Sequence, residues 1–485
     1  VGESASRIAL CDTTEDVAEA LERFVHAGLR PTVRSGGHCY EGFVYNNPQG
    51  AIVDLSMMQG TQPVAGAPKY RIAAGTTLGQ VYTELHHRYG VLIPGGTCVT
   101  VGAGGHISGG GYGLLSRMHG ITPDWLTALD IVTVDHAGKA TVRRVDKSHD
   151  ADLFRACRGG GIGSFGVITN FYFDTLPKAP TEVAKANLSF SWDGMTEEKF
   201  ARILTLYGNY WDTRGRDADT WGIFTLFNVS HRDSGRFGMS VQFCNQDGTC
   251  RDLRPLEEFL SWFDECKPEV SKVSHPVLDA HLPPVPEGAG QVLCGAKHTV
   301  TKLPWLEATV TGNIGLEQRR KHKSTYMKRN FTPYETACYY KYLTMKVPGI
   351  ETNHGTCLMD SYGGAANKAG MVEETAAPQR SSIMKMHFTA SWADASADAA
   401  NLKWIHDFYE ELYSGPDADA AHRGTPYPGE SYEGCYINYP DVDMLQYPYW
   451  QELYYGNKGL VPFLQNVKRK YDPNNIFHHA MSIRA

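Results

Sequence analysis

Residues Pro94 to Gly113 read PGGTCVTVGAGGHISGGGYG, nine of them glycine. Glycine at this density gives the backbone φ freedom and lets it lie against a flat or phosphorylated ligand. Tight structural turns would account for the stretch equally well on its own. A second cluster, Gly159-Gly160-Gly161-Ile162-Gly163-Ser164-Phe165-Gly166, stands some fifty positions on. Neither is a P-loop, because no GKS or GKT follows. Gly109-Gly110-Gly111-Tyr112-Gly113 lacks the strand–GxGxxG–helix frame and the later acidic residue of a dinucleotide fingerprint. Two such clusters in one domain favour a large cofactor with a pyrophosphate.

The pattern around them alternates helix and strand signals. Glu15 to Ala27 carries Val17, Leu21, Phe24 and Val25 on one helical face, with Thr13 or Thr14 as cap and Gly28 after it. Strands are expected at Pro31–Arg34, Ala51–Leu55, Tyr70–Ala74, Leu126–Val134, Ala140–Val145 and Val167–Phe173, with helices at Thr77–Tyr89 and Asp152–Cys157. Pro177 and Pro180 mark a boundary. Beyond it come an amphipathic helix, Glu197–Trp211, and alternating strands at Trp221–Val229, Phe237–Phe243 and Met384–Trp392. Helices are expected at Leu253–Glu265, Pro333–Leu343 and Leu460–Lys470. The fold class is α+β, and 485 residues are too many for one core. The expected division is 1–177, 178–434 and a C-terminal segment, 435–485, that returns to the first domain.

A net charge of −7 offers no bulk attraction to nucleic acid or anionic lipid, and no apolar run is long enough to span a membrane. The basic run Arg319-Arg320-Lys321-His322-Lys323 reads as a solvated face, with a rim attracting an anionic substrate as the alternative. Eleven cysteines leave at least one unpaired; Cys244 and Cys250 are either a short bridge or buried thiols. The chain starts at Val1 rather than Met, consistent with removal of an N-terminal piece. A bacterial cytoplasmic location is the expectation, and secretion the alternative.

Arg34-Ser35-Gly36-Gly37-His38 and Cys98 are the reactive candidates near the glycines. Read alone, His38 is a hydrogen-bonding loop histidine and Cys98 a small buried hydrophobe. Zinc needs three or four ligands, and Cys39, His86, His87 and His106 show no ligand spacing, so no metal is expected. A Cys–His nucleophilic pair stays open.

RSGGH followed by PGGTCVTVGAGGHISGGGYG resembles the berberine bridge enzyme-like branch of the vanillyl-alcohol-oxidase flavoproteins. The resemblance continues through Asp152-Leu153-Phe154, Arg158-Gly159-Gly160-Gly161 and Ser164-Phe165-Gly166-Val167. It closes with Tyr436-Ile437-Asn438-Tyr439-Pro440-Asp441 and Tyr471-Asp472-Pro473-Asn474-Asn475-Ile476-Phe477. Arg155 and Ser164 stand where the family usually has Trp and Asn. Residues 180 to 430 match only loosely. Trp192-Asp193-Gly194-Met195-Thr196, Tyr362-Gly363-Gly364 and the tail His478 to Arg484 look most like bacterial sugar and alcohol oxidases of antibiotic biosynthesis, such as glycopeptide hexose oxidases.

The resemblance implies a two-domain FAD-binding fold of the vanillyl-alcohol-oxidase type, with an antiparallel-sheet substrate domain. It implies FAD bonded twice, to His38 at the 8α-methyl and to Cys98 at C6. Arg34, Ser35, Gly36, Gly37, Val101, Gly102, Gly105, His106, Gly110, Gly111, Gly166, Val167, Asn438, Tyr439 and Asn475 become cofactor-binding candidates. Within these, Val101 matches the oxygen-gate position and His106 the residue near the flavin C2 carbonyl. Tyr439 matches the catalytic base, supported by Tyr436, with Tyr112 lining the cavity. Strand alternation adds Tyr362, Lys385, His387 and Trp392 as substrate-domain candidates. A free tyrosine titrates near 10, so the base needs a cation or hydrogen bonds to stabilise its phenolate. The expected activity is oxidation of a hydroxyl on a sugar or glycosylated natural product, with O2 as acceptor and hydrogen peroxide as product. Oxidative chemistry on a polyketide or alkaloid is the alternative; a flavin- or ligand-binding protein without turnover is the third reading. The implied partners are a small molecule and O2, with oligomeric state left open.

Overall fold

A computed structural model describes residues 5–66, 69–270, 290–310, 318–348 and 355–484. The N-terminal half builds two sheets. One is a small parallel sheet in which Ala51–Asp54 lies between Arg7–Leu10 and Pro31–Arg34. The other runs in the order Thr61–Pro63, Tyr70–Ala73, Val167–Phe173, Ala128–Val134, Ala140–Asp146, all antiparallel. Helix Thr14–His26 packs on both sheets through Val17, Leu21 and Phe24. Its start is fixed by a reciprocal capping box between Thr13 and Asp16, and Gly28 follows at φ 69°. Helix Leu78–Tyr89 repeats the device with Thr77 and Gln80, ending at a left-handed Gly90.

The third sheet is antiparallel. Its order is Gly290–Cys294, His298–Pro304, Glu182–Ser191, Arg236–Phe243, Ile223–Ser230, Thr356–Ser361, Met384–Trp392, Arg319–Met327. Helices Glu197–Thr213, Pro333–Thr344 and Asp398–Leu412 carry its apolar cover. The C-terminal helices Trp450–Tyr455 and Leu460–Tyr471 pack back toward the first half. There the fully buried Lys468 Nζ donates to Ser164 O at 2.7 Å and pairs with Asp472 at 2.5 Å.

Two segments depart from the sequence expectation. The basic run is not a solvated face: it opens the strand Arg319–Met327, whose residues from Lys321 onward are buried. Within the glycine stretch, Ala103–Ser108 forms a short helix. Cys244 and Cys250 are both buried free thiols. Among the described residues no helix is long and apolar enough to cross a membrane, and no group of metal-ligating side chains occurs.

Candidate active site

The strand Pro31–Arg34 delivers Ser35 to His38 against the glycine stretch. Gly36 and Gly102 meet back to back, and a Cβ on Gly36 would stand 2.3 Å from Gly102 N. Only glycine permits that crossing. Arg34 anchors it from behind, pairing with Asp54 at 2.6 Å, and Ser35 Oγ donates to Ala74 O at 2.7 Å. The crossing forms one wall of a cavity of about 730 Å³, within the range of cofactor and ligand sites. His38 and Cys98 both line it and are joined through one hydroxyl. Thr100 Oγ1 lies 3.0 Å from His38 Nε2 and 3.5 Å from Cys98 Sγ. Burial lowers the His38 pKa, which favours the neutral imidazole.

His106, on the short helix, also lines the cavity. Its Nε2 accepts from Gly96 N–H at 3.2 Å, so its proton is on Nδ1, and burial pulls its pKa down to about 4. A Cβ on Gly111 would stand 2.3 Å from that ring, whereas one on Gly105 would meet open space. Gly105 and Gly163 thus leave room on the cavity side where side chains would intrude, while a Cβ on Gly166 would stand 2.5 Å from Val132 O.

The opposite wall is aromatic and charged. Tyr436 and Tyr439 stand 5.0 Å apart, and Tyr112 lies 5.5 Å from Tyr436. Asn438 ties this segment to the glycine stretch, donating to His106 O and to the Tyr436 hydroxyl, while Tyr436 OH donates to Gly110 O. Lys385 Nζ sits 3.7 Å from the Tyr439 ring centroid and 3.7 Å from Asp360 Oδ2. The Tyr112 hydroxyl donates to Asp360 and lies within hydrogen-bonding reach of Tyr439. Burial dominates the titration of all four groups. It raises Tyr439 and Tyr112 well above 10, raises Asp360, and lowers Lys385 to about 8 against the pull of Asp360. Beside them runs a ring stack. Tyr40 lies on His322 at 3.6 Å and His387 on Tyr439 at 4.0 Å, and the two histidines share a 2.8 Å hydrogen bond.

Most of the sequence candidates meet at this cavity: Ser35 to His38, Cys98, Val101, Gly102, Gly105, His106, Tyr112, Gly166, Val167, Tyr436, Asn438, Tyr439 and His387. Arg34, Gly110 and Gly111 stand behind its wall. Asn475 is elsewhere, in an exposed turn with φ 49°. Tyr362 packs behind Tyr112 at 5.8 Å. Trp392 is a correction. On the strand Met384–Trp392 it shares parity with Met384, Met386 and Phe388, on the face opposite Lys385 and His387, and its indole N–H donates to Asp398. Sequence reasoning missed Asp360, Tyr40, His322 and Thr100. For Asp360, the signal was a lone acid alternating with Leu358 in a strand otherwise fit for a core.

A model for the "FAD binding domain" matches residues 5–140, and one for "Berberine and berberine like" matches 435–484. Aclacinomycin-N/aclacinomycin-A oxidase of Streptomyces galilaeus is 34% identical, over 97% of this chain and 84% of that protein. Hexose oxidase of Chondrus crispus is 33% identical, over 100% and 91%. The crystal structure of a glycopeptide hexose oxidase complexed with teicoplanin superposes with a TM-score of 0.84 at 33% identity, over 99% of this chain and 93% of that one. Fold, cavity and relatives together define an FAD-linked oxidoreductase. The chain belongs to the berberine bridge enzyme-like FAD oxidases of the vanillyl-alcohol-oxidase superfamily.

Proposed function

We propose that this FAD oxidase holds its flavin through two bonds, at His38 and Cys98, and oxidises a hydroxyl of a sugar or glycosylated natural product. The observation that carries the reading is that an imidazole and a thiol from separate segments line one glycine-walled cavity, with tyrosines and Asp360 lining it too and Lys385 buried directly behind them. The residues suit FAD: crowding rules out side chains at Gly36, and Gly105 and Gly163 keep the wall open. We assign residues 1–177 and 435–485 to the flavin-binding part and 178–434 to the substrate part. The buried contact of Lys468 with Ser164 and the half-buried contacts of Tyr471 with Asp150 and Asp152 support that division. The sugar substrate class is supported by the hexose-oxidising relatives.

Bound FAD would supply the two-electron chemistry, taking a hydride from the substrate carbon and passing electrons to O2 to give hydrogen peroxide. The protein's task is the substrate's proton. Tyr439 is too basic to be a standing phenolate at neutral pH. In our reading it relays: as its oxygen accepts the substrate hydroxyl proton, its own proton passes to Tyr112, whose proton passes to Asp360. Burial makes Asp360 a better acceptor than an ordinary carboxylate, while Lys385 keeps it ionised at rest. Lys385 also faces the Tyr439 ring, where a cation favours developing negative charge. Tyr436 and Asn438 hold Tyr439 against the glycine stretch, and the compact Val101 leaves room for O2. The test is a peroxide-coupled screen of sugars, glycopeptides and polyketide alcohols. Peroxide release with sugars supports the reading; release only with non-sugar alcohols rejects the substrate class.

A further inference from the structure

The strand Arg319–Met327 sorts its charges by face. Arg319, Lys321 and Lys323 point one way, and each meets acids. Arg319 pairs with Asp398, Lys321 with Glu41, Asp441 and Asp443, and Lys323 with Asp441 and Asp443. The alternate residues face the cavity side. His322 stacks on Tyr40, Ser324 Oγ accepts from Tyr436 N–H, and Tyr326 packs on Tyr436. Arg320 belongs to this second set and lines the cavity itself. Among the described residues no carboxylate reaches it within ion-pair distance, and its Nε is buried without a hydrogen-bond partner. Arg34, Arg71 and Arg232 also carry an unpartnered Nε, but none of them lines the cavity. The fully buried arginines are better satisfied, Arg117 donating to carbonyls of Ile223, Tyr362 and Gly215 and Arg380 gripping Asp124 with both terminal nitrogens. Among the described residues that line the cavity, Arg320 is the one lysine or arginine.

We infer that Arg320 is a carboxylate-binding subsite, so that the substrate is an anion whose acid group lies away from the hydroxyl being oxidised. This rests on the hydroxyl-oxidase reading above. A half-buried guanidinium without a counter-ion is costly, and a bidentate carboxylate both neutralises and saturates it. One cation matches a monoanion; a phosphate dianion would leave surplus negative charge in a cavity that already holds Asp360. The site is electrostatically live, since burial lowers His38 and Arg320's charge lowers it further. The register sets its backbone separation from the chemistry. Arg320 pairs with Ser391, and Ser324 with His387, whose ring stacks on Tyr439. Four residues of strand are about 13 Å, more than one sugar ring. The acid therefore belongs to a second ring or an aglycone.

The holoenzyme can be tested with cellobiose and cellobiouronic acid, its analogue bearing a carboxylate on the non-reducing ring. Peroxide release gives kcat and KM, and flavin difference spectra give binding. The wild type is expected to prefer the acid by about ten- to a hundred-fold in KM at similar kcat. Arg320→Gln should abolish the preference by raising the KM of the acid to that of cellobiose in the same variant, and Arg320→Lys should retain part of it. A wild type that treats the pair alike, or an R320Q variant that keeps the preference, overturns the inference. So does an R320Q variant that loses flavin or changes its spectrum without ligand, since the guanidinium would then serve the cofactor. Failure of both sugars to release peroxide would count against the sugar-oxidase reading. The subsite is then judged by glucuronate-induced difference spectra, which R320Q must abolish for the inference to stand.

Discussion

Lys385→Met tests the proton relay most directly. The ammonium is fully buried, 3.7 Å from Asp360 and 3.7 Å from the Tyr439 ring centroid. With an effective dielectric near 20, a charge pair at that separation is worth about 4 kcal/mol. A desolvated cation over an aromatic ring contributes about 2 kcal/mol. The two effects share one charge, so their sum overstates the loss. Flavin reduction at neutral pH should therefore fall by roughly 30- to 1,000-fold. The pH profile should change shape as well. In the wild type the rate should rise with pH as Asp360 ionises, at a pH above the usual carboxylate range. It should fall again as Lys385 loses its proton near its lowered value of about 8. In the variant the alkaline limb should vanish and the acid limb move upward, because Asp360 loses the cation that keeps it ionised. Anaerobic stopped-flow bleaching of the flavin band, followed across pH, measures both. Lys385→Met/Asp360→Asn controls for a buried carboxylate left unpaired, which by itself destabilises. A single variant within about three-fold of the wild-type rate, with an unmoved alkaline limb, would refute the assignment.

Tyr439→Phe should cut flavin reduction by orders of magnitude while substrate still perturbs the flavin spectrum; an unchanged reduction rate would reject Tyr439 as the proton acceptor. His38→Ala and Cys98→Ala should each leave acid-precipitated protein yellow, and only the double variant should give a colourless pellet. Gly36→Ala puts a methyl 2.3 Å from Gly102 N and 3.0 Å from Thr100 O, backbone that cannot swing aside. It should cost about 1–3 kcal/mol in stability and reduce flavin content, read by thermal melts and the absorbance ratio.

The strands Val167–Phe173 and Met384–Trp392 coincide with the periodicity reading, and the capped helices Thr14–His26 and Leu78–Tyr89 lie within a residue of it. In those segments local propensity, caps and burial agree. Arg319–Met327 was illegible for a physical reason: its buried lysines, Lys321 and Lys323, are satisfied by Glu41, Asp441 and Asp443, acids remote in sequence. The same holds at the site. Motif residues such as His38 and Tyr439 announce themselves by their neighbours in the chain. Asp360 acquires meaning only from Tyr112, 248 positions away, and from Lys385 across a strand pair. Trp392 shows the reverse error, since counting by twos from His387 would have put it on the other face.

Glu41 sits three residues past His38, yet its carboxylate also accepts the Val442 N–H at 3.2 Å, across 401 positions. The histidine loop and the tyrosine segment thus share one buried clasp through Lys321. On the ribosome, the loop emerges 401 positions ahead of its counterpart. A growing chain can raise its sheets in the interval, but the pocket stays open on the Tyr439 side until residue 442 arrives. Enclosure of the cofactor therefore waits on a segment made long after the histidine loop, and chains halted before that segment should accumulate pale and unlatched.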